Sequence, residues 1–303
     1  MRPRDGPGRP GGRWPWRTAV AGLAAVALAW GCASDPQKTR KMLAGFGGVG
    51  TIFRDLYDLA PVQEKEEIQI GDGVAATLLG ARGLVLDETV QRYVNETGLW
   101  IAQRSERPGL PWSFGVTDSD AIGAFATPGG NVLVTRGLMT ALRNESELAG
   151  VLGHEIAHVV RKDHLSAMRK GAAINLFATG ATVAAATAGA GGVGGALAQA
   201  TKAVYMRGLD RDDEFEADRL GVVYAARAGY DPYALAGVLQ TLSAAPDGDA
   251  TTSFLLDTHP TPADRLQRLS RAMGERFEGC CGQPRNEDGF RRVLALLDRG
   301  SAR

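Results

Sequence analysis

The spacing of apolar positions changes character several times along the chain, and each change marks an expected element. At 74–81 and 87–103 apolar residues recur at helical intervals, Asp87 stands where an N-cap belongs, and Arg107-Pro108-Gly109 breaks the pattern. Apolar and polar residues alternate over 112–117, as in a half-buried strand. The segments 124–126 and 131–135 then flank Thr127-Pro128-Gly129-Gly130, which reads as a hairpin turn, so an antiparallel sheet is expected ahead of the main helices. Asn144, with Glu147 three residues on, opens a helix whose apolar face is Leu148, Val151, Leu152, Ile156 and Val159. Further helices are expected at 211–228, closed by Gly229 with Pro232 beyond, at 232–243, and at 263–273 behind Thr261 as N-cap and Pro262 in the first helical position. A small sheet set among helices predicts the α+β class.

The ends of the chain read differently. An Arg-rich start precedes an apolar run at 18–30, too short to span a bilayer comfortably but suited to a secretory signal. Gly31-Cys32 at its end resembles a bacterial lipoprotein signal, with Cys32 as the lipidated first residue. If Cys32 is lipidated, Ala33 after it, by resemblance to enterobacterial lipoprotein sorting, implies the outer membrane, with the protein facing the periplasm. The expected organisation is a signal peptide at 1–31, a membrane-proximal tether with a short helix at 32–67, a folded domain at 68–275 and a C-terminal tail at 276–303. Within the domain, 171–201 is uncharged and rich in Ala and Gly. Its seven glycines argue for a hairpin or flap over a spanning helix. Equal numbers of basic and acidic residues, 34 each, leave no general basic footprint for nucleic acid. Three cysteines, two of them the adjacent Cys280 and Cys281, do not make a disulfide scaffold.

Chemistry concentrates in His154-Glu155-Ile156-Ala157-His158. Two histidines at i and i+4 lie about 40° apart around a helix, so both imidazoles reach one point, as a zinc ion requires. Glu155 projects beside them, where it can deprotonate an activated water. A third ligand is needed, and two readings compete. His164 would serve if the helix stopped after His158; on a continuing helix it faces away and is solvated. Alternatively, Glu214 and Asp218 share one face of the later helix, and Gly221 and Ala225 continue that stripe with side chains small enough for two helices to approach closely. Glu214 would then bind zinc and Asp218 would accept a hydrogen bond from a ligating histidine. Spacing alone leaves Asp213 and Glu216 open.

HEIAH with a downstream EFEADRLG, preceded by AFATPGGNVLVTRGLM and NESELAGVL and followed by THPTPADRL, resembles the HtpX, BepA and CAAX-prenyl-protease family of gluzincin metallopeptidases, and closely resembles its periplasmic lipoprotein branch. The resemblance covers about 68–273. It implies a zincin-type domain holding one Zn2+ per chain, with Glu214 as third ligand, Asp218 behind a ligating histidine and Glu216 a non-ligand. It also implies that His259 and Arg265 face the active site, stabilising an oxyanion or holding substrate carbonyls, and that Ala124, Phe125 and Ala126 form an edge strand pairing with the substrate backbone. Gly123 stands where many relatives carry Asn, and no tetratricopeptide module is expected after Met273. The implied activity is endopeptidase cleavage of misfolded or stalled envelope polypeptides, with the membrane reached through the lipid anchor and the outer-membrane assembly machinery as a possible partner. The rival expectations are a non-proteolytic assembly factor with a structural zinc, and a protease held in the bilayer by 171–201.

Overall fold

The computed structural model describes residues 62–178, 208–244, 261–277 and 286–300. The signal segment, Cys32, His259, the Cys280-Cys281 pair and the Gly/Ala-rich stretch beyond residue 178 lie outside the described residues. Within them the chain forms nine helices and three strands.

The first helix, α1 (Glu64–Arg82), begins four residues ahead of the expected domain boundary, because Glu67 belongs to the core. Its side chain is fully buried, 2.7 Å from Arg107 Nη1 and 2.8 Å from Lys162 Nζ. Next, α2 (Glu88–Ala102) starts at Asp87, whose carboxylate accepts from the backbone N–H groups of Thr89 and Val90, and buries Val90, Val94, Ile101 and Ala102. The strands β1 (Ser113–Thr117), β2 (Ala124–Ala126) and β3 (Asn131–Thr135) follow.

The sheet order is β1-β3-β2, with β2 antiparallel to β3 as the turn chemistry requires but β1 parallel to β3. The sheet is therefore mixed rather than antiparallel. Alternation has the same period in both arrangements and does not distinguish them. Nor is β1 half-buried: Phe114 to Thr117 are all buried, with α2 packed on the strand. The hairpin turn works through Gly129 and Gly130 at φ 81° and 115°, conformations that residues with a Cβ rarely adopt.

After β3 come α3 (Arg136–Ala141), α4 (Glu145–Arg161), α5 (Asp163–Ala178), α6 (Arg211–Arg227), α7 (Ala234–Ser243), α8 (Pro262–Met273) and α9 (Glu287–Gly300). Helix α4 is the hub. It packs on β2, β3, α2 and α7, and most closely on α6. The expected apolar face is intact, with Leu148, Val151, Leu152, Ile156 and Val159 all buried.

The expected C-terminal tail is instead α9, which drives Phe290, Val293 and Leu297 into the main core. The first eight residues of the Gly/Ala-rich segment continue α5 as helix rather than forming a hairpin or flap. Among the described residues, no helix is long and apolar enough to cross a membrane.

Candidate active site

Helix α4 starts from Asn144, whose side-chain oxygen accepts from the Glu147 N–H at 2.9 Å, the predicted cap. It carries His154 and His158 at a buried level, 3% and 0% exposed. Opposite them lies α6. Gly153 and Gly221 meet at the crossing: a Cβ on Gly221 would lie 2.6 Å from the backbone nitrogen of His154. This backbone-to-backbone approach is what brings Glu214, two turns earlier on α6, onto the histidine pair.

Among the described residues, the group able to hold a metal ion is His154, His158 and Glu214, whose donor atoms lie within 4.8 Å of one another. The two Nε2 atoms are 3.1 Å apart, and the Glu214 carboxylate oxygens lie 3.6 Å from that of His154 and 3.7 Å from that of His158. Tetrahedral ligands at about 2.0–2.1 Å from a zinc-sized ion stand roughly 3.4 Å apart, so these separations fit a cation at their centre.

The far side of each imidazole strengthens the case. His154 Nδ1 lies 2.9 Å from Asp218 Oδ1, and His158 Nδ1 lies 3.0 Å from Asp163 Oδ2. Each Nδ1–H thus has a carboxylate acceptor, which turns the Nε2 lone pairs toward each other and toward Glu214. Two imidazole nitrogens and a buried carboxylate converging on one point are the donor set that a cation would neutralise.

The competing ligands are resolved by their partners. Asp213 pairs with Arg161 at 2.8 Å, and Glu216 with Arg219 at the surface, so neither reaches the histidines. The His164 question has an unexpected answer. Helix α4 does stop after His158, at Lys162, which takes the left-handed conformation (φ 61°) although it is not glycine. That conformation costs on the order of 1–2 kcal/mol, and the Lys162 ammonium, paired with Glu67, helps to hold it. The turn delivers Asp163, not His164, to His158. His164 is half-buried rather than solvated, its ring edge-on to that of His158 with centroids 5.3 Å apart, and it is not in the donor group.

Asp163 was missed from sequence. Helical spacing carried past His158 does not show it, since the reversal occurs at a lysine that no composition rule marks. Arg161 Nε, 3.0 Å from the same Asp163 oxygen, fixes it further.

Arg265, on the first turn of α8, faces the site as the resemblance implies, its Nη2 3.3 Å from His154 Nδ1. Its guanidinium grips Asp218, Nε to Oδ2 at 2.9 Å and Nη2 to Oδ1 at 2.6 Å, with both side chains buried. It steadies the acceptor of His154, and it also lines the cavity beside the site.

Burial alone would raise the Asp218 carboxyl, but Arg265 and His154 hold it well below the usual carboxylate range. His154 is pushed down by burial and by the Arg265 charge. For His158 burial works in the same direction but is outweighed by Glu214, Asp163 and Glu155, which raise it.

Glu155 is 2% exposed and, with His154, forms part of the wall of that cavity. Ala124 of the edge strand β2 lines it too, so β2 borders the site as the resemblance implies.

The comparisons with known proteins agree with this geometry. The pattern of Peptidase family M48 matches residues 88–273. The beta-barrel assembly-enhancing protease of Escherichia coli K12 is 32% identical over 236 residues, covering 73% of this chain and 48% of that protein. The protein of the same name from Yersinia pestis is 32% identical over 208 residues, covering 66% of this chain and 42% of that one. The mitochondrial metalloendopeptidase OMA1 of Arabidopsis thaliana is 30% identical over 188 residues, 61% of this chain and 36% of that one. The chain thus spans about half or less of the length of these relatives. With a donor set that could hold a cation and a family match over more than half of its residues, the protein belongs to peptidase family M48, with an α+β metallopeptidase domain of the zincin type.

Proposed function

We propose that the protein is a zinc-dependent endopeptidase of the bacterial cell envelope that hydrolyses misfolded or stalled envelope polypeptides. The observation that carries the reading is the pair of imidazoles, each turned by its own carboxylate so that both Nε2 atoms face the Glu214 carboxylate, with Glu155 adjacent. Zinc held by His154, His158 and Glu214 would supply Lewis acidity, polarising a scissile carbonyl and acidifying a water. Glu155, in the wall beside them, would serve as general base toward water and as general acid toward the leaving amine. Asp218 and Asp163 keep the ligands oriented throughout, and Arg265 keeps Asp218 ionised. His259 is proposed, from the resemblance alone, as a neighbour of the developing oxyanion. The substrate backbone lies along β2 at Ala124, Phe125 and Ala126.

The names of the bacterial relatives, which tie them to beta-barrel assembly, support envelope polypeptides as substrates and the outer-membrane assembly machinery as a partner. The signal-like start supports an outer-membrane lipoprotein anchored through Cys32 and facing the periplasm. The deciding experiment compares purified mature protein with Glu155→Gln on unfolded casein, with metal analysis of both. Equal zinc and cleavage by the unsubstituted protein alone is expected. Equal client handling by both proteins would leave only a non-proteolytic assembly factor. Loss of membrane association in Cys32→Ser checks the anchor.

A further inference from the structure

The turn that carries Asp163 to His158 is anchored from outside α4. Lys162, at φ 61° and ψ 32°, is the one residue other than glycine with a positive φ among the described residues. A helix end normally places glycine there, so a side chain at this position needs support from elsewhere. The support comes from α1. The fully buried Glu67 carboxylate lies 2.8 Å from Lys162 Nζ, and Arg107 holds the same carboxylate twice, Nη1 to Oε1 at 2.7 Å and Nη2 to Oε2 at 3.1 Å. Arg107 Nη1 also donates to the Val159 carbonyl in the last turn of α4, at 3.3 Å. Glu67 has little room to move, because α1 is seated backbone to backbone on the hairpin turn. A Cβ on Gly71 would lie 1.6 Å from the Pro128 carbonyl oxygen, and one on Gly129 would lie 2.6 Å from Ile68 Cα.

We infer that Glu67 is a positioning residue for the metal site, acting on zinc affinity through Lys162, Asp163 and His158, so that docking of α1 and binding of zinc are coupled. The inference rests on the reading of His154, His158 and Glu214 as zinc ligands. Asp163 orients His158 only while Lys162 stays left-handed. A right-handed residue there would continue α4 and carry Asp163 about 140° around the helix from His158. A neutral amide at position 67 offers the Lys162 ammonium no opposite charge, and the charge-assisted bond that anchors the turn is lost. The carboxylate behind His158 is then in place for less of the time. Arg161 still holds Asp163 at 3.0 Å and is itself tied to Asp213 of α6, so the loss is partial. By linkage, zinc binding favours the docked α1 by the same factor as docked α1 favours zinc. Whatever pulls α1 from this seat therefore also weakens the hold on the metal.

The test is a cycle of substitutions at positions 67 and 162, with zinc affinity read by chelator competition and stability by urea unfolding of the zinc-free proteins. Glu67→Gln should lower zinc affinity about five- to tenfold, less than the roughly 10- to 100-fold typical of removing the orienting carboxylate itself. Lys162→Gly, which takes the left-handed conformation without an anchor, should bind zinc as the unsubstituted protein does. In that background Glu67→Gln should leave zinc affinity unchanged, although it still destabilises the fold. An equal drop in both backgrounds, or none in either, overturns the inference and leaves Glu67 a structural residue only. If Glu67→Gln does not fold, Lys162→Ala decides, because it keeps the pair of Glu67 with Arg107 and a Cβ at position 162 but lacks the ammonium. Its zinc affinity should fall by a similar factor while that of Lys162→Gly does not; equal affinities of the two overturn the inference. An unsubstituted protein that binds no zinc would instead overturn the metal reading itself, and the coupling with it.

Discussion

The approach of α4 and α6 at Gly153 and Gly221 makes the metal site depend on the absence of one carbon atom. In Gly221→Ala the new Cβ would stand 2.6 Å from His154 N, 2.9 Å from His154 Cα and 3.0 Å from Gly153 C. All three are backbone atoms of a buried helix and none can rotate away. Ordinary contact begins near 3.4 Å, so the helices must separate by about 0.8 Å. Glu214 and Asp218 lie on α6 and move with it, while metal–ligand distances tolerate only about 0.2 Å. The expected loss is at least tenfold in zinc affinity, with overpacking costing about 1–3 kcal/mol of stability. A chromogenic chelator in competition reads the affinity, and thermal unfolding with and without zinc reads the stability. Gly73→Ala on α1, where a Cβ would meet nothing within 4 Å, is the control. It should leave zinc binding unchanged and stabilise the fold by about 0.5–1 kcal/mol. Unaltered zinc affinity and melting temperature in Gly221→Ala would refute the reasoning.

Three further outcomes are expected. Asp163→Asn should lower zinc affinity by about 10- to 100-fold, measured by the same competition, because the amide no longer provides the charged acceptor that orients His158. Arg265→Lys loses the two-pronged grip on Asp218 and should cost about 1–3 kcal/mol in denaturant unfolding; Arg265→Ala should cost more, about 3–5 kcal/mol, by leaving Asp218 buried without its cation. Burial alone would raise Glu67, but Arg107 and Lys162 hold it below its usual value. Its ionised form therefore contributes stability above the ordinary carboxylate range, and that contribution is lost as pH falls through the depressed folded value. Glu67→Gln should accordingly be less stable than the unsubstituted protein at pH 7, with the difference shrinking in urea melts below about pH 4.

Much of this was readable in the chain because the signals are local. The caps at Asp87, Asn144 and Thr261, the HExxH spacing and the apolar face of α4 depend on residues within a few turns of one another, where backbone geometry dictates who meets whom. The amphipathic repeat of Phe290, Val293 and Leu297 was equally local and was passed over because the segment was read as a tail. Spacing nominated Glu214 and Asp218 without excluding Asp213 and Glu216, since all four sit in the charged opening of one helix.

Relations between distant segments belonged to the tertiary structure. The parallel pairing of β1 with β3, the burial of Glu67 between Arg107 and Lys162, and the engagement of Arg265 by Asp218 join parts of the chain that no periodicity connects. The left-handed Lys162 is the sharpest instance. Its sequence neighbourhood favours a continuing helix, and long-range contacts hold the turn that puts Asp163 behind His158. The sequence by itself determined the pair of histidines and the glutamate between them, His154, His158 and Glu155, because their identity and helical spacing suffice for that. Only the tertiary structure decided that Glu214 is the carboxylate that joins them and that Asp218 and Asp163 orient them, because packing, rather than local preference, sets those distances.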